Sequence, residues 1–78
     1  MPTVLKFLAY RLFFYSNEGD EPPHVHVERD GCTAKFWIRP VALAHSRRFS
    51  SVELNRLSDV VKLHEAQIEE AWHEHFDT

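Results

Sequence analysis

The stretch His24-Val25-His26-Val27-Glu28-Arg29, followed by Asp30-Gly31, constrains this chain more than any other. A β-branched residue at alternate positions is a strand signature. Asp-Gly supplies two residues that tolerate the backbone of a tight hairpin, so Cys32 to Ile38 is expected to return alongside as an antiparallel strand. Successive side chains on a strand point to opposite faces. His24, His26 and Glu28 therefore share one face, and Val25 and Val27 the other.

The flanking segments extend this sheet. Thr3 to Leu8 and Tyr10 to Ser16 are apolar and aromatic, broken only at Ala9, and form either a tight hairpin or one bent strand. Residues 17–23 are a loop by composition, ending in Pro22-Pro23, which cannot donate to a ladder. Val41 to Ala44 is a short edge strand or a turn, and 45–49 a connector. Ser50 and Glu53 then have the spacing of a capping box at a helix start. Leu54, Leu57, Val61, Ile68, Trp72 and Phe76 fall on one helical face, and neither Gly nor Pro intervenes. The expectation is a single α+β domain over 1–78. A sheet of four or five antiparallel strands, about 3–44, packs on one long C-terminal helix, about 51–76, with its weak point near His64.

Seventy-eight residues give a small core, for which six Phe, two Tyr and two Trp compensate. Net charge is −3, which is not the footprint of a general nucleic-acid binder. Cys32 is the lone cysteine, so no internal disulfide forms and a reducing compartment is expected. The N-terminus has no charged region followed by a long apolar run, and no stretch approaches membrane-spanning length. These features suggest a soluble, cytoplasmic protein with no membrane association.

Four blocks of sequence, in order, carry a resemblance. Phe14-Tyr15-Ser16-Asn17-Glu18-Gly19 leads into Glu21-Pro22-Pro23-His24-Val25-His26-Val27. Ala34-Lys35-Phe36-Trp37-Ile38 precedes Pro40-Val41. Phe49-Ser50-Ser51-Val52-Glu53-Leu54 and Glu70-Ala71-Trp72-His73-Glu74-His75-Phe76 complete the set. Together they resemble the family of small bacterial proteins called domain of unknown function 4160, over nearly the whole chain. Arg48 stands before Phe49 where many relatives have Gly. The resemblance implies one half of a two-gene cassette of toxin–antitoxin type; it brings no catalytic residues with it.

Two imidazoles two residues apart on a strand can converge on one divalent metal ion, or pass a proton. His24 and His26 are thus the candidate catalytic and metal-binding pair, with a third ligand sought at Glu28, His64, His75 or Asp20. The plainer account is two polar residues on an open sheet face. Glu18, Asp20 and Glu21 in the preceding loop are further carboxylates that can ligate a metal or orient an imidazole. On a helix, His64 and His75 lie about 16 Å apart, and His73 and His75 point to nearly opposite sides, so these do not form a second pair. His64-Glu65-Ala66-Gln67-Ile68 lacks the second histidine of the zinc-protease pattern.

One helix covers one face of a sheet, yet aromatic residues are available to both. With Val25 and Val27 turned to the helix, the other face receives the histidines and either Phe13 and Tyr15 or Leu12 and Phe14. From the next strand it receives either Lys35 and Trp37 or Phe36 and Ile38. A homodimer contact or a protein partner encoded by an adjacent gene is the leading expectation for such a face. Base stacking is another, with Phe13, Tyr15, Trp37, Lys35, Arg39, Arg47 and Arg48 as the interaction set and Arg11 beside it. Cover by the loop at 17–23 and the connector at 39–49 is a third. The functions expected are a partner-binding component of a two-gene module, a small His- or metal-dependent hydrolase acting on RNA through His24 and His26, or a nucleic-acid-binding module.

Overall fold

The computed structural model describes residues 3–77; Met1, Pro2 and Thr78, which the single-domain and N-terminal expectations include, lie outside the described residues. Five strands run in chain order: β1 (Thr3–Phe7), β2 (Tyr10–Phe13), β3 (His24–Arg29), β4 (Cys32–Trp37) and β5 (Ala42–Arg47). They form one antiparallel sheet in the order β1-β2-β3-β4-β5. Two helices follow, α1 (Ser51–Leu63) and α2 (Glu65–Phe76). Among the described residues, no helix is long and apolar enough to cross a membrane.

Local chemistry explains the joints. Asp30 and Gly31 both take positive φ, at 48° and 82°, as the two-residue turn between right-twisted strands requires. The first two apolar runs form a hairpin about Leu8 and Ala9, with Phe7 opposite Tyr10. The segment expected as an edge strand or a turn is a strand, and it absorbs His45, Ser46 and Arg47 from the expected connector. Phe36 pairs with Leu43 and Lys35 with His45, so Ala44 is the extra residue of a bulge.

The single long helix is not what forms. The chain breaks at His64, whose φ of −106° and ψ of 16° leave the helical range. The His64 imidazole takes the Val60 carbonyl through Nδ1 at 2.9 Å, the same carbonyl its own amide reaches at 3.1 Å. That local competition bends the helix without help from Gly or Pro. The ladder resumes at once, with the Ile68 amide bonding the His64 carbonyl. Leu57 and Val61 of α1 and Ile68 and Trp72 of α2 therefore remain buried on one side.

That side meets Leu12, Phe14, Val25, Val27, Ala34, Phe36 and Ile38. Each large apolar residue buried here contributes about 1.5–3 kcal/mol relative to exposure. Val25 and Val27 do face the helices, which sends His24 and His26 to the other face. The capping box is half formed. Ser50 Oγ accepts the Glu53 amide at 3.1 Å, but the Glu53 carboxylate turns away from Ser50. It accepts the Tyr10 hydroxyl from β2, and Arg29 of β3 grips both its oxygens, Nε at 2.9 Å and Nη2 at 2.8 Å. The residue expected to close the helix end ties the helix to the sheet.

Candidate functional site

Cross-strand partners in an antiparallel sheet share a face. The register therefore gathers Phe13, His26, Lys35 and His45 in one row, with His24 beside Trp37 in the next. The chain between β2 and β3 folds over this row. Phe14 anchors its start in the core, edge-on to Trp72 at 5.3 Å. Gly19 passes so close to Phe76 that a Cβ there would lie 2.9 Å from Cδ1. The Glu21 amide turns back to the Glu18 carbonyl, and the Pro23 carbonyl accepts from Ile38 at 3.0 Å. This path carries the side chains of Glu18 and Glu21 onto the sheet.

Glu18 is the residue that completes the histidine pair. Its Oε1 lies 2.9 Å from His24 Nε2 and 2.7 Å from His26 Nε2. These atoms of the three residues all fall within 4.8 Å of one another. His24 is fully buried, between Trp37 at 5.6 Å and Trp72 at 4.8 Å. Its other ring nitrogen, Nδ1, faces the Pro22 carbonyl at 2.9 Å. His26 stacks on Phe13 at 5.6 Å and meets Tyr15 edge-on at 4.6 Å. Burial opposes ionisation of Glu18, but hydrogen bonds from His24 and His26 outweigh it and hold the carboxyl below its ordinary range. Burial pushes the His26 imidazole down, against the bond and charge of Glu18.

The third ligand expected at Glu28, His64, His75 or Asp20 is at none of them. Glu28 accepts from Arg11 at 2.6 Å. His64 is spent on the Val60 carbonyl and lies 6.0 Å from the Phe7 ring. His75 packs beside Phe14 and Phe76 at the helix end. Asp20 points to solvent. The helix does meet the strand pair, through Trp72 rather than through a histidine.

The interaction set separates in the same way. Phe13 is only 2% exposed, capped by the Arg11 guanidinium 4.4 Å above its ring, so it offers no open stacking platform. Lys35 is 8% exposed and spends its ammonium on Glu21 at 2.6 Å, over the Trp37 ring. The loop at 17–23 thus supplies cover that a partner was expected to supply. Tyr15 stays 39% exposed and Trp37 is partly so. Arg39 pairs with Glu69 of α2. Arg47 and Arg48 stand exposed at the end of β5.

The family model described as domain of unknown function (DUF4160) matches residues 9–73, a span that contains the Glu18–His24–His26 cluster and all of β5. No curated protein and no solved structure matches the chain.

Proposed function

The chain belongs to that family, and on this premise we propose that it is a cytoplasmic partner-binding component of a two-gene module of toxin–antitoxin type, engaging its partner along the outer edge of β5. The observation that carries the proposal is the free edge itself. β5 is one of the two edge strands of the sheet, and among the described residues it pairs with β4 alone. Such an edge presents unpaired backbone donors and acceptors, the groups an incoming peptide strand satisfies.

Charge selects the kind of strand. The whole chain carries −3, yet no acidic residue occurs between Arg39 and Phe49. Arg39 is neutralised by Glu69, while His45 and Arg47 of β5 and Arg48 just past it are exposed, with the Arg48 guanidinium turned toward Gly31 of the β3–β4 turn. Leu43, 44% exposed on the helix side, adds an apolar contact. An extended segment rich in Asp and Glu matches both the backbone and the side chains. A nucleic acid matches only the charge. The lone Cys32 suits a reducing cytoplasm.

Co-purification of the untagged product of the adjoining gene with this chain is the first test. The proposal expects a complex that survives gel filtration and weakens about tenfold or more when Arg47 and Arg48 are both changed to Glu. A complex indifferent to that double change, or a chain that binds only itself or only nucleic acid, contradicts it. The hydrolase reading draws on a different observation, the convergence of Glu18 on His24 and His26, and requires turnover that Glu18→Gln abolishes.

A further inference from the structure

We infer that Glu18, His24 and His26 form a binding site for a divalent transition-metal ion of the zinc type. The strongest reason is the donor count at His24. Its two ring nitrogens face two acceptors, the Pro22 carbonyl at Nδ1 and the Glu18 carboxylate at Nε2, each at 2.9 Å. A neutral imidazole carries one N–H and satisfies one of them. The second contact then sets a lone pair against an oxygen in a fully buried position. Either a second ring proton or a cation between Nε2 and Oε1 removes the conflict, and the convergence of a second imidazole, His26, on the same carboxylate oxygen is what points to the cation. With Nδ1–H given to Pro22, the Nε2 lone pair is directed at the ion.

That arrangement is how metal-ligating histidines are held. The nitrogen away from the ion donates to a backbone carbonyl, which fixes the tautomer and the ring. Here the carbonyl belongs to a Pro-Pro pair whose backbone has little freedom. His26 brings its Nε2 to the same carboxylate oxygen from the next position on that face of β3. Ligand bonds of about 2.0–2.2 Å in a tetrahedron separate ligand atoms by roughly 3.4 Å. The nitrogen-to-oxygen separations of 2.9 and 2.7 Å therefore need to open by about 0.5 and 0.7 Å.

The donor set narrows the ion. Two imidazoles and one carboxylate suit zinc, nickel or cobalt over magnesium or calcium, which take oxygen ligands. Three protein ligands leave a fourth position. The Glu18 and His26 side chains are partly exposed, so that position opens toward solvent beside Tyr15 and takes water or an outside donor. Lys35 does not oppose the ion as a free charge, because Glu21 holds its ammonium at 2.6 Å.

The test uses the full chain, stripped with a chelator and titrated with Zn2+ against a chromophoric competitor, with Mg2+ as control. One Zn2+ per chain at micromolar or tighter affinity is expected. Glu18→Gln and His26→Gln, each with an unchanged circular dichroism spectrum, should weaken it at least about tenfold, and His73→Gln should not. Because His24 is buried and its variants are prone to misfold, 15N chemical shifts of its ring provide the independent readout. On adding Zn2+, Nε2 should move to a metal-bound position while Nδ1 remains protonated. No zinc binding, binding undiminished in folded Glu18→Gln and His26→Gln, or a His24 ring protonated on both nitrogens in the presence of Zn2+ each overturns the inference.

Discussion

Glu18 Oε1 and His26 Nε2 lie 2.7 Å apart, and that contact pins the loop between β2 and β3 over the histidines of β3, beside the end of α2. The same oxygen serves His24. Replacing Glu18 with Ala leaves a fully buried imidazole nitrogen without its partner. The expected loss is about 1–3 kcal/mol of stability. Urea denaturation without added metal measures it, and amide exchange should speed up in residues 17–23 before it does in β4. A variant as stable as the parent would show that the loop is held by other means.

The Tyr10–Glu53–Arg29 junction predicts a stability plateau with two edges. The Tyr10 hydroxyl bond, joined by Arg29, outweighs burial and holds Glu53 below its ordinary value of 4.5. Its stabilisation is therefore complete above that value and is lost as pH falls through the lower folded value. The bond to Glu53, with burial, raises Tyr10 above 10.0. Its contribution is complete below 10.0 and is lost as pH rises further. Melting temperature between pH 3 and 11 should thus fall at both ends. In Tyr10→Phe the alkaline fall attributable to this residue disappears, and the plateau is lower throughout.

Arg48 occupies a left-handed conformation, with φ of 71°. That conformation costs an ordinary residue about 1–2 kcal/mol, and Gly escapes most of it while losing more freedom on folding. Arg48→Gly is predicted to raise stability by about 0.5–1 kcal/mol, read from the urea midpoint. The turn is one that suits Gly, and Arg48 adopts it under strain.

Gly19 has a different requirement. Its φ is unexceptional, but there is no room for a side chain against Phe76. Gly19→Ala should cost about 1–3 kcal/mol, as overpacking does. In a Phe76→Ala background the same change should cost much less, a coupling that a double-mutant cycle in urea detects.

Much of this fold is legible in residue order. Alternation at His24 to Arg29 with Asp30-Gly31 defines the central hairpin, and the register follows from it. Helical spacing from Leu54 to Phe76 identifies the packing face, which persists through the break. The break itself is hidden, because it arises from an imidazole reaching the Val60 carbonyl, not from a residue that disfavours helix. β5 is under-read because Ala42, Ala44, His45, Ser46 and Arg47 have weak strand preference, and pairing with β4 decides the matter. The His24/His26 pair is visible from alternation alone. Glu18 stood among three loop carboxylates that no periodicity distinguishes; the turn at Gly19 and Pro22-Pro23 selects it. Arg47 and Arg48 were visible as charge, but their free edge is a property of strand order.

Hydrogen exchange on this chain, alone and with the product of the adjoining gene, tests the central claim most directly. Pairing of an incoming strand with β5 predicts slowed exchange concentrated at residues 42–47, with the β2–β3 loop little changed. Slowing concentrated instead around Glu18, His24 and Tyr15, or no slowing in β5 at saturating partner, would contradict it.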